Sequence, residues 1–449
     1  MSIIGRFSNL TLAVFSALPF LFAAAAISPA MAQKIPDFPP AKFMLTTPEK
    51  VALGRLLFYD PILGGNRNIS CSSCHQPRFG TSDGVSLSLG EGGIGLGPDR
   101  RGDPENMPEQ RIGRNAPALF NLGAAQFISL FDDGRVQLDP TRPLGIRSPL
   151  EQAMVEGFNS VLAVQAMFPV LSQDEMAGQY SENDISQAAR RGFLAQKGGV
   201  WDIIAARIEA IPQYRKMFDR VIGKEKPITF TAIANMIAQF IAFEWRATDS
   251  PFDRYLRDKT PLPGPASAGM ELFYGKANCS ACHSGRFQSD QKFHAIAIPQ
   301  IGPGKAARFE TNQRDTGRMR VTGNPDDAFR FRTPSLRNIT LTGPYGHDGA
   351  YTTLRAAVMH HLDPVASLYA YDRTQAILPP LPGANDWAIL DDPKEMAAIA
   401  AANELAPISL SEKEVDELLA FLASLTEKGS QNGRLGIPDK VPSGLPVGR

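Results

Sequence analysis

Two five-residue runs carry the most specific chemistry in this chain. Cys71-Ser72-Ser73-Cys74-His75 and Cys279-Ser280-Ala281-Cys282-His283 are both C-x-x-C-H, and together they use all four cysteines. The spacing lets two thiols add across the two vinyl groups of one haem, while the adjacent histidine supplies the proximal iron ligand. A structural zinc site or a redox CxxC pair would use the same cysteines, since two CxxC pairs can together give zinc four thiolates. The histidine that ends both runs, in a chain that carries an export signal, favours haem c. Cys71, Cys74 and His75 then bind one haem, and Cys279, Cys282 and His283 a second. Attachment consumes every thiol, so an oxidising compartment poses no disulfide problem.

The export signal is at the start of the chain. Arg6 is the only charge before residue 33, an apolar run covers 10–27, and Ala30-Met31-Ala32 forms an A-x-A cleavage site. The other reading of this run is an uncleaved membrane anchor. Nothing later resembles a transmembrane helix, so the mature chain is expected to be soluble and periplasmic. Lys+Arg and Asp+Glu both number 46, a balance with no footprint for nucleic acid or an acidic membrane surface.

The elements that must position the two motifs read as helices. Leu53-Gly54-Arg55-Leu56-Leu57-Phe58-Tyr59 precedes the first motif and Ala268-Gly269-Met270-Glu271-Leu272-Phe273-Tyr274 the second, a weak internal duplication that suggests two related modules. The Pro/Gly-rich joint Pro261-Leu262-Pro263-Gly264-Pro265 stands before the second copy. A long apolar-rich helix is expected over 228–245, and a helix with a Ser411/Glu414 capping box carries Val415, Leu418, Leu419 and Leu422 at helical spacing. Segments 80–115 and 300–330 read as long loops of the kind that are functional or clasp something, and 431–449 as extended coil. The expected fold is all-α: two cytochrome c-like domains, each with one covalent haem c. The expected boundaries are 1–32 for the signal peptide, 33–250 and 251–430 for the domains, and 431–449 for the tail.

At this point the chain resembles the bacterial di-haem cytochrome c peroxidases and their MauG-type relatives. Beyond the haem motifs, the resemblance rests on Arg114-Asn115-Ala116-Pro117, Asp133-Gly134-Arg135, Glu175-Met176, Thr333-Pro334-Ser335-Leu336-Arg337-Asn338 and Pro344-Tyr345-Gly346-His347-Asp348-Gly349. It implies an oxidoreductase that reacts with hydrogen peroxide at haem 1 and relays electrons through haem 2. The electron donor would be a small redox protein or a protein substrate.

Only six histidines exist, and none lies between His75 and His283. Many family peroxidases carry a removable histidine after the first motif; this chain does not, so haem 1 is expected to be open. Met107 is the one nearby soft ligand. The family lines this pocket with a Gln and a Glu ten positions apart with a Pro between them, and Gln165, Pro169 and Glu175 keep that spacing. The resemblance implies Glu175 as acid–base catalyst and Gln165 as pocket hydrogen-bonder. Ser172 and Glu175 also form S-x-x-E, an ordinary capping box.

Haem 2 is expected to be closed by a helix that follows His347-Asp348-Gly349. Leu354, Val358 and His361 share one helical face, which favours His361 over His360, turned about 100° away, or Met359. His361 also occupies the position where family peroxidases place Met and MauG-type enzymes Tyr. A second departure is Phe131-Asp132-Asp133-Gly134-Arg135, where Asp132 replaces the family's inter-haem Trp. The family often holds Ca²⁺ with an Asn side chain and two carbonyls, which Asn115, Thr342 and Pro344 match. Two other functions stay open: a MauG-type enzyme that oxidatively modifies a partner protein, and a non-catalytic electron carrier with both haems closed.

Overall fold

The computed structural model describes residues 38–151, 154–179, 181–305 and 313–448; the expected signal peptide lies outside them. The same helix-on-helix device builds two apolar cores. In the first, helix α1 (Pro48–Tyr59) packs on helix α2 (Phe230–Glu244). The crossing is close because Gly54 has no side chain: a Cβ there would lie 1.9 Å from the Met236 carbonyl oxygen. Phe58, Tyr59, Phe240 and Trp245 then interlock, with Phe58 and Trp245 ring centres 5.3 Å apart.

In the second core, helix α3 (Gly264–Tyr274) packs on helix α4 (Glu412–Ser424). Gly269, the counterpart of Gly54 in the sequence echo, makes the same approach, with a Cβ position 1.8 Å from the Glu417 carbonyl oxygen. Phe273, Tyr274 and Phe421 pack there beside Phe252. The duplication is therefore one of packing geometry as well as of letters. The Ser411/Glu414 capping box forms, with Ser411 N–H donating to the Glu414 carboxylate at 2.8 Å.

The chain is helix-rich but not purely helical. Among the described residues are three small antiparallel sheets with strands of two or three residues. One pairs Phe293–His294 with Phe331–Arg332; such short ladders pin loops. The segment after residue 430 runs back to the first core without a regular helix beyond Ser430–Asn432. Its Leu435 and Gly436 N–H groups donate to the buried Glu244 carboxylate, and Ser443 donates to Asp60 at 2.6 Å.

Loops join the two halves through a buried charged network. Arg114 holds Asp315 with two bonds, 2.7 and 2.9 Å long, and Asp133 with a third of 2.9 Å. Burial alone would raise the Asp315 pKa, but Arg114 holds it well below the usual carboxylate range. Arg318 donates to the Asp133 and Gly134 carbonyls from the other side.

Candidate functional site

The histidines of the two motifs are oriented alike. Ser70 and Ser73 form a reciprocal capping box around the single turn Cys71–Cys74. The chain then folds back, and His75 Nδ1–H donates to the Thr81 carbonyl at 3.0 Å. In the second motif His283 Nδ1–H donates to the Gln288 carbonyl at 3.1 Å. A carbonyl can only accept, so each bond fixes the tautomer with Nε2 unprotonated and directed away. Burial keeps both imidazoles neutral. It lowers His75, and burial together with the neighbouring His361 takes His283 down to about 4.

Opposite His283 stands His361, ring centre to ring centre 6.3 Å. Two imidazoles bound to opposite sides of one metal at about 2 Å, with ring centres about 1.2 Å behind the nitrogens, would lie about 6.4 Å apart. The ring separation matches that of two imidazoles sharing one iron. His361 donates from Nδ1 to the Ala357 carbonyl at 2.7 Å, which leaves Nε2 for the metal. The neighbouring candidates are engaged elsewhere. His360 is fully buried, with Nε2–H donating to the Ile296 carbonyl at 2.7 Å and Nδ1 bonded to Tyr351 Oη at 2.8 Å. Met359 is 43% exposed. His360 is thus a satisfied core histidine, and not the polar surface group that a His-His pair suggests.

The far side of His75 is different. Helix Val161–Gln165 ends at half-buried Gln165, and the chain passes through Pro169–Leu171 into a single wide helical turn, Gln173–Ala177, that carries Glu175. The S-x-x-E signal does not become a capping box, because Ser172 makes no side-chain cap bond; Glu175 N–H donates to the Ser172 carbonyl instead. That leaves the Glu175 carboxylate free for other contacts, and its charge acts on both Cys74 and His75. The glycine-rich loop lies flat on this turn, with a Gly90 Cβ position only 1.9 Å from the Asp174 carbonyl oxygen. Arg100 fixes that loop by donating to the carbonyls of Leu89, Gly90 and Gly95. Burial pushes the adjacent Asp174 carboxyl up to about 6, although Gln110 donates to it at 2.7 Å.

Met107 turns away to the surface: it is 40% exposed and its sulfur lies against Gly102. Asn115 is anchored beside the 342–349 turn, donating from its backbone N–H to the His347 carbonyl at 2.9 Å and from Nδ2 to the Val85 carbonyl at 2.7 Å. Thr342 and Pro344 lie in that same turn. Asp132, in the place of the family Trp, accepts the Arg332 N–H at 2.7 Å on its carbonyl. Burial raises its carboxyl, against the pull of Arg114 and Arg332. No tryptophan takes its place. Trp201 and Trp245 belong to the first core, and Trp387 lies under Arg373 at 5.1 Å. Lys305, missed from sequence, approaches Glu175 at 4.0 Å. A lone lysine in a Gly/Pro loop gives no signal that could have found it.

Both motifs with their oriented histidines suit an iron-based redox centre, and comparison with known proteins places the chain in such a class. A model of the family described as di-haem cytochrome c peroxidase matches residues 48–261. The methylamine utilization protein MauG of Methylorubrum extorquens is 30% identical, over 70% of this chain and 69% of that protein. The cytochrome c551 peroxidase of Nitrosomonas europaea is 31% identical, over 70% of this chain and 73% of its own length. A crystal structure of a MauG-like protein associated with microbial copper homeostasis superposes with a TM-score of 0.58 at 27% identity, covering 89% of this chain and 96% of that one. The chain belongs to the di-haem cytochrome c peroxidase family, and it is a peroxidase-like oxidoreductase. Among the described residues no helix is long and apolar enough to cross a membrane.

Proposed function

We propose that this is a periplasmic di-haem enzyme that reduces hydrogen peroxide at the Cys71–His75 centre and draws its electrons through the Cys279–His283 centre. The carrying observation is the asymmetry of the two far sides: His283 faces a second imidazole, and His75 shares its surroundings with a carboxylate. In this reading 1–32 is a signal peptide, 33–250 and 251–430 are two cytochrome c-like domains, and 431–449 is a tail that clasps the first.

Haem c held by Cys71, Cys74 and His75 supplies a redox-active iron to peroxide. The chain's own residues handle the proton. Glu175, as a carboxylate, takes the proton from the near peroxide oxygen and returns it to the far oxygen, which leaves as water. Gln165 donates a hydrogen bond that orients the peroxide. His361 closes the second centre, and with two imidazoles that centre is expected at lower potential than a His/Met pair, because a thioether raises it. Asn115 Oδ1 and the carbonyls of Thr342 and Pro344 would hold Ca²⁺ between the halves; hard oxygen donors suit that ion.

Replacing Glu175 with Gln tests the reading. The variant should fold with both haems and react with peroxide at least about a hundredfold more slowly in stopped-flow absorption, the usual size of an acid–base contribution. Reaction at the wild-type rate would remove Glu175 from the mechanism. A second reading, oxidative modification of a partner protein, is favoured by the absence of a capping histidine near haem 1 and by Asp132 in the place of the family Trp.

A further inference from the structure

Lys305 belongs to the second half of the sequence but approaches the Glu175 turn of the first. Its Nζ is 4.0 Å from Glu175 Oε1, and its side chain is 22% exposed. The loop that carries it is fixed at successive residues. Gln300 bonds both to the Asp315 carbonyl at 2.7 Å and to the Asp315 N–H at 3.0 Å. Ile301 N–H donates to Asp348 at 2.9 Å, and Gly302 N–H to the Asp386 carbonyl at 2.8 Å. Gly304 then meets Gly113 so closely that a Cβ on Gly113 would lie 1.6 Å from the Gly304 carbonyl oxygen. The backbone leading to Lys305 is thus built into the junction of the two halves.

We propose that Lys305 is a positioning residue of the peroxide site, whose ammonium holds Glu175 as the carboxylate that accepts the first proton. The inference rests on Glu175 being the acid–base group. On Glu175's own turn Asp174 is a second acid, whose carboxyl is pushed up by burial and by the charge of Glu175. From the second half come Lys305 and Asp315, and from the first Arg114 and Arg135, which with Glu175 are the charges acting on the ammonium. Burial disfavours the charged lysine, and Glu175 is the largest influence in the other direction. Glu175 therefore supports the charge of Lys305, and the 4.0 Å approach sets the two groups as a pair. An opposite charge this near favours a carboxylate, so removing the ammonium should move the acid-side loss of the peroxide reaction to higher pH.

The test compares the holoenzyme with Lys305→Met, Lys305→Arg and Glu175→Gln, using two readouts. One is the pH dependence of the second-order reaction with peroxide. The other is the fluoride affinity of the oxidised first haem, read from its absorption spectrum without turnover. In Lys305→Met the acid limb should move up by about one pH unit, as expected for losing an opposite charge at this distance. Fluoride should bind roughly tenfold more weakly, because the anion loses a nearby cation. Lys305→Arg should restore both. An acid limb or a fluoride affinity unmoved in Lys305→Met, with Glu175→Gln slow, overturns the role of Lys305 and leaves that of Glu175 standing. Glu175→Gln at the wild-type rate overturns both. A first haem that is low-spin in the wild type and becomes high-spin in Lys305→Met would make Lys305 an iron ligand, which also overturns the proposal.

Discussion

His75 and His283 are oriented by the same bond, Nδ1–H to a carbonyl five or six residues on, at 3.0 and 3.1 Å. What lies across from them differs. His283 faces His361 at 6.3 Å from within its own half, supported by a helix whose other histidine is bonded at both nitrogens. On His75 the charge of Glu175 acts from a wide helical turn, a glycine-rich loop presses onto that turn, and Lys305 approaches Glu175 from the second half. The motif builds the attachment and the near ligand. In the proposed function the character of each centre comes from its surroundings: a second imidazole for holding and passing an electron, or a proton-handling carboxylate for chemistry.

The comparison can be broken first at the second centre. His361→Ala should convert it from low-spin to high-spin in the oxidised protein and leave the first centre's spectrum unchanged. His360→Ala should leave the second centre low-spin, because that ring is committed to Tyr351 and the Ile296 carbonyl. Electron paramagnetic resonance of the two variants checks this, and the reverse outcome would reject the assignment.

The charged junction between the two halves gives the next effect. Arg114→Ala leaves Asp315 and Asp133 buried without their shared guanidinium, and should cost about 3–5 kcal/mol in denaturant unfolding. The Asp315 carboxyl is held below its unfolded value near 3.8. Its contribution is therefore present above that pH and is lost as pH falls through the lower folded value. The wild type should lose stability in that acid window, and Asp315→Asn should flatten the dependence.

The smallest effect separates two look-alike signals. Ser411→Ala should cost about 1 kcal/mol, because its capping box is made. Ser172→Ala should change stability by less than about 0.5 kcal/mol, because its side chain caps nothing. Thermal unfolding of the two variants measures the contrast.

The helix that brings His361 near His283 was legible in sequence. Helical spacing put Leu354, Val358 and His361 on one face, and the structure turns His361 toward His283. The echo before each motif located the helices, and Gly54 and Gly269 supply the physical reason, since each marks a close crossing. The first centre was legible only where the family pattern reached. S-x-x-E is ambiguous by itself, and only the three-dimensional course of Gln173–Ala177 shows the cap unmade. Asp315 and Lys305 could not be found from pattern: each lies in a loop without period, and its partner is more than a hundred residues away. The short strands were missed because ladders of two residues show no alternation to read.

The most direct measurement is electron paramagnetic resonance of the fully oxidised holoprotein as isolated. The account predicts one high-spin haem, open beside Glu175, and one low-spin haem, closed by His283 and His361. Two low-spin haems with no high-spin signal would contradict it, and would mark the chain as an electron carrier with both centres closed.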